Sequence, residues 1–424
     1  MRNIRVPRRF VVIISISLIS CTSHIAHGAE GFDLTISGES DFLAGYVRQN
    51  YDTSNTKHVD FTNSFQLNII PVWHSESGLE YGAGLRLRAY VGDGIIDAKR
   101  AYLFVESRFG RIEAGLIAGP NAQYGVSAPS NFGTGGVVGD WSTGTAWVQN
   151  QNVFLEPVFG WGFNAITDTS WATRLTYYTP AIFTGNEGGS GLKAAVSYAP
   201  QNLSVQTDSN RQRAITTTGR SFCSATLPNA PLTGCAYNDI LEADIFYEGT
   251  FRGLSFAASL GYEHGNSPTD RTGVSYYPLS ALQVGASIAY SNITIGGSYV
   301  NAGKTSYARN MGYYLNDQTV FALGILYEIA PFTFGFNFAQ GEDAGDVTVP
   351  GKRAADLYSI GMSYQLAPGI SFGLEYMRSF TRNEPGYQVD AFINDAKGTP
   401  TTPDGIGYGS SNAHMVLLKS HIIF

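Results

Sequence analysis

Apolar and polar residues take turns along most of this chain. In Phe332, Phe334, Phe336 and Phe338 the rings alternate with Thr333, Gly335, Asn337 and Ala339. The same rhythm runs through Leu282, Val284, Ala286, Ile288 and Tyr290, and through Tyr358, Ile360, Met362 and Tyr364. Successive side chains of a strand point to opposite faces, so each segment has one greasy face and one small, polar face. Bounded by turn residues, the pattern predicts strands over 32–47, 60–73, 79–91, 98–108, 110–118, 171–179, 191–199, 239–250, 252–263, 279–291, 292–301, 317–328, 331–340, 355–366, 369–379 and 412–424. An even number of strands, most of them long enough to cross an apolar band at a tilt, predicts an all-β fold: a 16-stranded antiparallel transmembrane β-barrel.

The connections alternate in length. Ser75-Glu76-Ser77-Gly78, Ser107 to Gly110, Gly249 to Gly253, Ser291-Asn292, Glu328 to Pro331 and Gln365 to Gly369 are tight, with Thr179 to Ser190 the exception on that rim; the intervening connections are long. Short turns at one rim and long loops at the other are the asymmetry of a bacterial outer-membrane barrel, the tight rim being periplasmic. Strands running toward the tight rim end in a ring: Trp73, Phe109, Tyr177, Tyr247, Tyr290, Tyr327, Tyr364 and Phe424. Aromatics recurring at one height mark a water–lipid boundary.

Composition sharpens this picture. Charged residues make up 14% of the 424-residue chain, well below the roughly 25% of soluble domains. Mean hydropathy is −0.06, and no apolar run reaches the ~18 residues of a spanning helix, so any membrane is crossed by strands, whose polar half cancels the apolar half. Length alone suits two or three soluble domains or one closed barrel.

Residues 1–28 read as a signal peptide: Arg2, Arg5, Arg8 and Arg9, then an apolar stretch from Phe10 to Ile19, then small residues at Ala26-His27-Gly28. Leu18-Ile19-Ser20-Cys21 also resembles a lipobox, the alternative processing site. Removal takes four of the 27 basic residues and none of the 34 acidic ones, leaving a charge of −11 on the 29–424 barrel, which argues against a nucleic-acid partner. Cys223 and Cys235 remain, in a long connection over 200–238. In an exported protein one pair implies one disulfide, with two free thiols as the alternative. Zinc-type spacing is absent, and neither a metal nor a cofactor is expected.

The order and spacing of several short stretches resemble the general bacterial porins of Gram-negative outer membranes, particularly their alphaproteobacterial branch. These are Arg100-Ala101-Tyr102-Leu103-Phe104 leading into Phe109-Gly110-Arg111-Ile112-Glu113-Ala114-Gly115, Arg174-Leu175-Thr176-Tyr177-Tyr178-Thr179-Pro180, Gly191-Leu192-Lys193 to Ser197-Tyr198-Ala199-Pro200, and a last strand closing on Phe424. The resemblance implies a homotrimeric diffusion channel in outer-membrane lipid and lipopolysaccharide, with Phe424 read by the barrel-assembly machinery. It also implies that the long third external loop, 119–170, folds into the lumen as the constriction; Asn131-Phe132-Gly133 and Gly135-Gly136 to Gly139-Asp140-Trp141 look like its glycine-rich inner part.

Parity places Arg86 and Arg88 on the inner wall, opposite the face of Leu85, Leu87 and Ala89, and likewise Arg100 and Arg174. In similar porins such arginines face carboxylates of the third loop, which makes Asp140 the expected partner across the pore. A transverse field across a narrow passage orders water and sets ion preference. Glu39, Asp41, Glu242 and Asp244 also face inward by parity and offset the arginines, so the sign of selectivity stays open. Ordinary solvated lumen charges or ion pairs are the plainer reading of Arg86 and Arg88.

Three other roles compete. A barrel enzyme needs a nucleophile or water with a positioned base, and the mature histidines, His58, His74, His264, His414 and His421, are scattered without such a signature, so no enzyme is expected. A substrate-specific channel for a sugar or anion would lay aromatics along the lumen, with Tyr90, Tyr102, Phe104 and Tyr178 as candidates. An adhesin or structural barrel needs no passage at all.

Overall fold

The computed structural model describes residues 29–49, 58–90, 96–137, 172–182, 191–201, 237–267, 275, 277–305, 309, 317–345, 350–385 and 410–424. Its strands are β1 (Ala29–Gln49), β2 (Val59–Ser75), β3 (Glu80–Tyr90), β4 (Ile96–Ser107), β5 (Gly110–Ile117), β6 (Ala172–Tyr178), β7 (Gly191–Gln201), β8 (Asn238–Phe251), β9 (Leu254–Asn266), β10 (Leu279–Tyr290), β11 (Ile293–Gly303), β12 (Gln318–Ile329), β13 (Phe332–Gly345), β14 (Pro350–Ala367), β15 (Ile370–Pro385) and β16 (Ser410–Ile423). Every predicted strand is present. Each pairs antiparallel with its sequence neighbours, and β1 pairs with β16, so the sheet closes without an edge.

Alternation decides which face looks out. Phe334 and Phe336 are each 41% exposed, whereas Asn337 between Phe336 and Phe338 is 0% exposed. Large apolar residues such as Leu103, Leu241, Val284 and Ile360 are likewise exposed on the outer face. At the tight rim Phe109, Tyr177, Tyr247, Tyr290, Tyr327 and Phe424 are exposed, and Trp73 stacks on Tyr81 at 5.8 Å.

The seam is made by the chain terminus. Gly38 N–H donates to Phe424 O at 2.7 Å, and Phe424 N–H donates back to Gly38 O at 3.0 Å. The Phe424 ring lies over the bare Gly38 and stacks with Phe65 at 5.9 Å.

Two expectations are refined. The turn placed at Gly249 to Gly253 lies at Arg252-Gly253, whose φ values of 50° and 80° fit a two-residue hairpin, and β8 runs on to Phe251. β13, β14 and β15 extend beyond the predicted 331–340, 355–366 and 369–379. Strand pairing needs only backbone, so it continues past the level at which lipid enforces alternation.

The inner face is not uniformly small and polar. Leu357, Met377, Met415 and Leu417 point inward at 1% exposure or less, packed in one cluster with Ala128 and Val137 of the connection after β5. Apolar side chains on a luminal wall need cover, and that connection supplies it. The signal segment 1–28, Asp140 with the rest of 119–170 beyond 137, and Cys223 and Cys235 of the 200–238 connection lie outside the described residues.

Candidate functional site

The inward-facing residues define the candidate site. On β3 and β4, Arg86 and Arg100 are direct cross-strand partners and Arg88 follows on the same face; all three are half-buried. Like charges placed opposite one another repel. Neighbours temper this: Arg86 Nε donates to Asn68 Oδ1 at 2.7 Å. Toward the seam, Glu39 accepts from Gln66 Nε2, and Asp41 pairs with Lys419 at 3.2 Å and with His421. Glu39 and Asp41 thus face inward but are engaged by their own strand neighbours.

Arg174 also faces inward, yet it is not part of the open wall. Its Nη1 lies 2.7 Å from Glu242 Oε2, with the two side chains 0% and 3% exposed. The start of the connection after β5 covers the pair. The one-turn helix α1 (Asn121–Tyr124) puts Asn121 N–H on Glu242 Oε1 at 2.7 Å and Asn121 Nδ2 on Asp244 Oδ1 at 2.8 Å. Glu242 and Asp244, expected as lumen charges, and Arg174, expected at the constriction, therefore form a buried anchor. Parity gave their direction; it could not show what lies over them. Tyr124 adds to the anchor, stacking on Phe246 and meeting Tyr178 edge-on, each at 5.6 Å. Burial, then the carboxylates of Asp244, Glu113 and Glu248, raise its phenol above the ordinary value, so it stays neutral.

From there the segment crosses the inner wall strand by strand. Val126 N–H donates to Ser259 Oγ of β9 at 2.7 Å, Ser127 meets Ser298 of β11 at 2.7 Å, and Asn337 of β13 donates to Pro129 O at 2.9 Å. It reaches β15, where Glu375, 1% exposed, accepts from Thr134 N at 2.6 Å, Thr134 Oγ1 at 2.7 Å, Gly136 N at 3.2 Å and the Ser359 hydroxyl. Phe132, 2% exposed, fills a slot that exists because the wall lacks side chains: a β-carbon at Gly335 would overlap its ring, and one at Gly373 would overlap Gly133 O. Glycine in a strand interior often marks such a close approach.

Sequence reasoning missed this second anchor. Glu375 has the same inward parity as the carboxylates named above and nothing in its own strand sets it apart; the luminal glycines Gly335, Gly361 and Gly373 on three consecutive strands were an available signal. It also missed the cluster on β4 and β5, where Arg111 joins Glu106 at 2.8 Å and Glu113 at 2.7 Å and lies 4.0 Å above the Phe104 ring. Of the aromatics considered for a solute slide, Phe104 is 4% and Tyr178 5% exposed, so neither offers a face to a solute.

Residues 118–137 thus lie over strands from β6 to β15, while Arg86, Arg88 and Arg100 stand on β3 and β4, across a closed ring of sixteen strands. An apolar outside around a charged inner wall defines a pore-forming barrel of the outer-membrane class. The profile of the Gram-negative porins matches residues 15–384, and the chain belongs to that family. It is 22% identical over 351 residues to an uncharacterized protein of Rickettsia typhi, covering 70% of this chain and 73% of the relative, and 22% identical over 342 residues to one of Rickettsia conorii with the same coverage. Among solved structures, the fold matches the anion-selective porin from Comamonas acidovorans with a TM-score of 0.54 at 16% identity, covering 93% of this chain and 100% of that one. It also matches OmpT, an outer-membrane protein of Vibrio cholerae in its trimer form, with a TM-score of 0.52 at 12% identity and the same coverage. The protein is an outer-membrane porin channel.

Proposed function

We propose that this channel passes small hydrophilic solutes and ions by passive diffusion, with Arg86, Arg88 and Arg100 forming the positive side of its narrowest part and Asp140 the negative side. One observation carries the reading: the arginines occupy the wall opposite the strands on which residues 118–137 are docked. A cation-lined surface facing a loop across a narrow low-dielectric gap is the arrangement that polarises permeant ions. The buried pair Arg174–Glu242 holds the loop rather than the solute.

The rest of the proposal draws on the family for the trimer, the lipid and the assembly machinery, and on the sequence for the signal segment and the cysteine pair. The mature chain begins after residue 28, works as a homotrimer in lipid and lipopolysaccharide, is inserted by the barrel-assembly machinery through Phe424, and carries an external disulfide between Cys223 and Cys235. Reducing that bond should shift gel mobility without unfolding the barrel. A solute-specific channel is disfavoured by the burial of Phe104 and Tyr178.

Reversal potentials across a salt gradient test the pore assignment. Arg100→Ala should move the potential toward cation preference and Asp140→Asn toward anion preference. If neither variant moves it, both residues leave the constriction.

A further inference from the structure

We propose that the outer surface of β1, β16 and β15 holds one phosphate-bearing lipid of the outer leaflet, its head group on Arg48, His414 and Arg378 and an acyl chain in the groove below. The inference rests on the channel's residence in the outer membrane and concerns a surface facing away from the pore.

The three basic residues form a row. Arg48 is the direct partner of His414, and His414 of Arg378, on three adjacent strands. Their parity is that of the outward residues Tyr46, Val416 and Tyr376, so they too face lipid. Adjacent strands lie about 4.8 Å apart, so the row spans about 10 Å, the scale of one head group. His414 stands ten positions before Phe424, a rise of ~25 Å at barrel tilt, which is the height of the apolar band. The row therefore sits at the head-group level opposite the tight rim, directly above aromatic side chains.

Among the described residues no carboxylate neutralises it. Among the described residues neither guanidinium lies within ion-pair distance of a carboxylate; Arg378 reaches only Asn412, at 3.4 Å, and the Phe380 ring, at 4.1 Å. His414 bonds the Tyr376 hydroxyl at 2.7 Å. The nearest outward carboxylate by register, Asp356, is opposite Phe380 and accepts from Gln340 at 2.9 Å. Basic residues set side by side at the edge of hydrocarbon are unfavourable unless an anion bridges them.

A second, independent feature adjoins the row. An open groove of about 350 Å³ is bounded by Phe334, Ile360, Met362, Leu374, Tyr376 and Val416, at the low end of ligand-site volumes. Tyr376 and Val416 are the residues immediately below Arg378 and His414 on their strands. A charged head above an apolar channel matches a lipid with a phosphate head and a chain pointing toward the membrane centre.

The test is native mass spectrometry of the detergent-folded mature protein titrated with diphosphorylated lipid A, phosphatidylglycerol, dephosphorylated lipid A and phosphatidylcholine. A one-to-one adduct with the phosphate-bearing anionic lipids is expected, weakened at least tenfold in the Arg48→Gln/Arg378→Gln variant and in Val416→Trp, which fills the groove and leaves the charges. Adduct with lipid A alone identifies a glycolipid site; adduct with both anionic lipids identifies a general phosphate site. Equal binding of phosphatidylcholine, or unchanged binding in both variants, overturns the proposal. So does a variant that loses its oligomeric state while keeping its lipid, since the row would then be a contact between copies. Channel conductance of the same samples should be unchanged, which separates failure of this site from failure of the channel reading.

Discussion

Replacing Glu375 by alanine should release the inner loop at its far end while leaving the barrel closed. Its carboxylate takes four donors in a site that is 1% exposed. Removing it strands the buried amides of Thr134 and Gly136, at about 1–3 kcal/mol each, so the loss is about 4 kcal/mol. At about 1.4 kcal/mol per tenfold change, local opening of 132–136 becomes ~10³-fold more frequent. Glu375→Gln should cost only about 1 kcal/mol, because its carbonyl can serve the loop while its amide donates to Ser359. Peptide-resolved hydrogen exchange measures this. The account predicts fast exchange over 132–136 in the alanine variant, near-normal exchange in the glutamine variant, and an unchanged Val126 amide, which Ser259 holds independently. Equal exchange in wild type and Glu375→Ala would refute the reasoning, as would acceleration spread evenly over the strands.

Three other outcomes follow. Gly335→Val should expel Phe132 from its slot and enlarge the open-channel current noise; a quiet, wild-type trace would show that the slot does not hold the loop. Arg174→Met should destabilise the folded state by about 3–5 kcal/mol, because it leaves Glu242 buried without its cation, and Arg174→Met/Glu242→Met should recover part of that; the temperature at which the folded gel band disappears reads both. Deleting Phe424 removes two seam hydrogen bonds, worth about 1 kcal/mol each, and the ring over Gly38, so exchange at Gly38 should rise while β8 to β12 stay protected.

The barrel was legible because lipid imposes a simple rule on sequence. At Phe332 to Phe338 and Leu282 to Tyr290 one face must be apolar, and period-2 alternation reports it directly. Turns at Ser75 to Gly78 and Gln365 to Gly369 then fixed the strand order. The lumen was legible only in direction. Parity sent Arg100 and Arg174 inward alike, but what covers a luminal residue depends on the path of a connection that carries no period. Arg174 lies under α1 for that reason, and Glu375 gained its role from Thr134 and Gly136, which are 241 and 239 residues away in the chain. Inward glycines were the trace of that path in the strands themselves: Gly261 under Asn121, Gly285 under Val126, and Gly335, Gly361 and Gly373 under Phe132 and Gly133. Strand ends on the external side were blurred, since the ends of β13 and β14, at Gly345 and Pro350, lie above the level at which alternation is required.

The central claim is that a charged aqueous passage runs through a cylinder whose outside is fitted to hydrocarbon. Adding the detergent-folded mature protein to a planar lipid bilayer tests it most directly. Discrete, ohmic conductance steps with weak ion selectivity are predicted. A protein that stays dissolved without detergent and leaves the bilayer electrically silent would contradict the account.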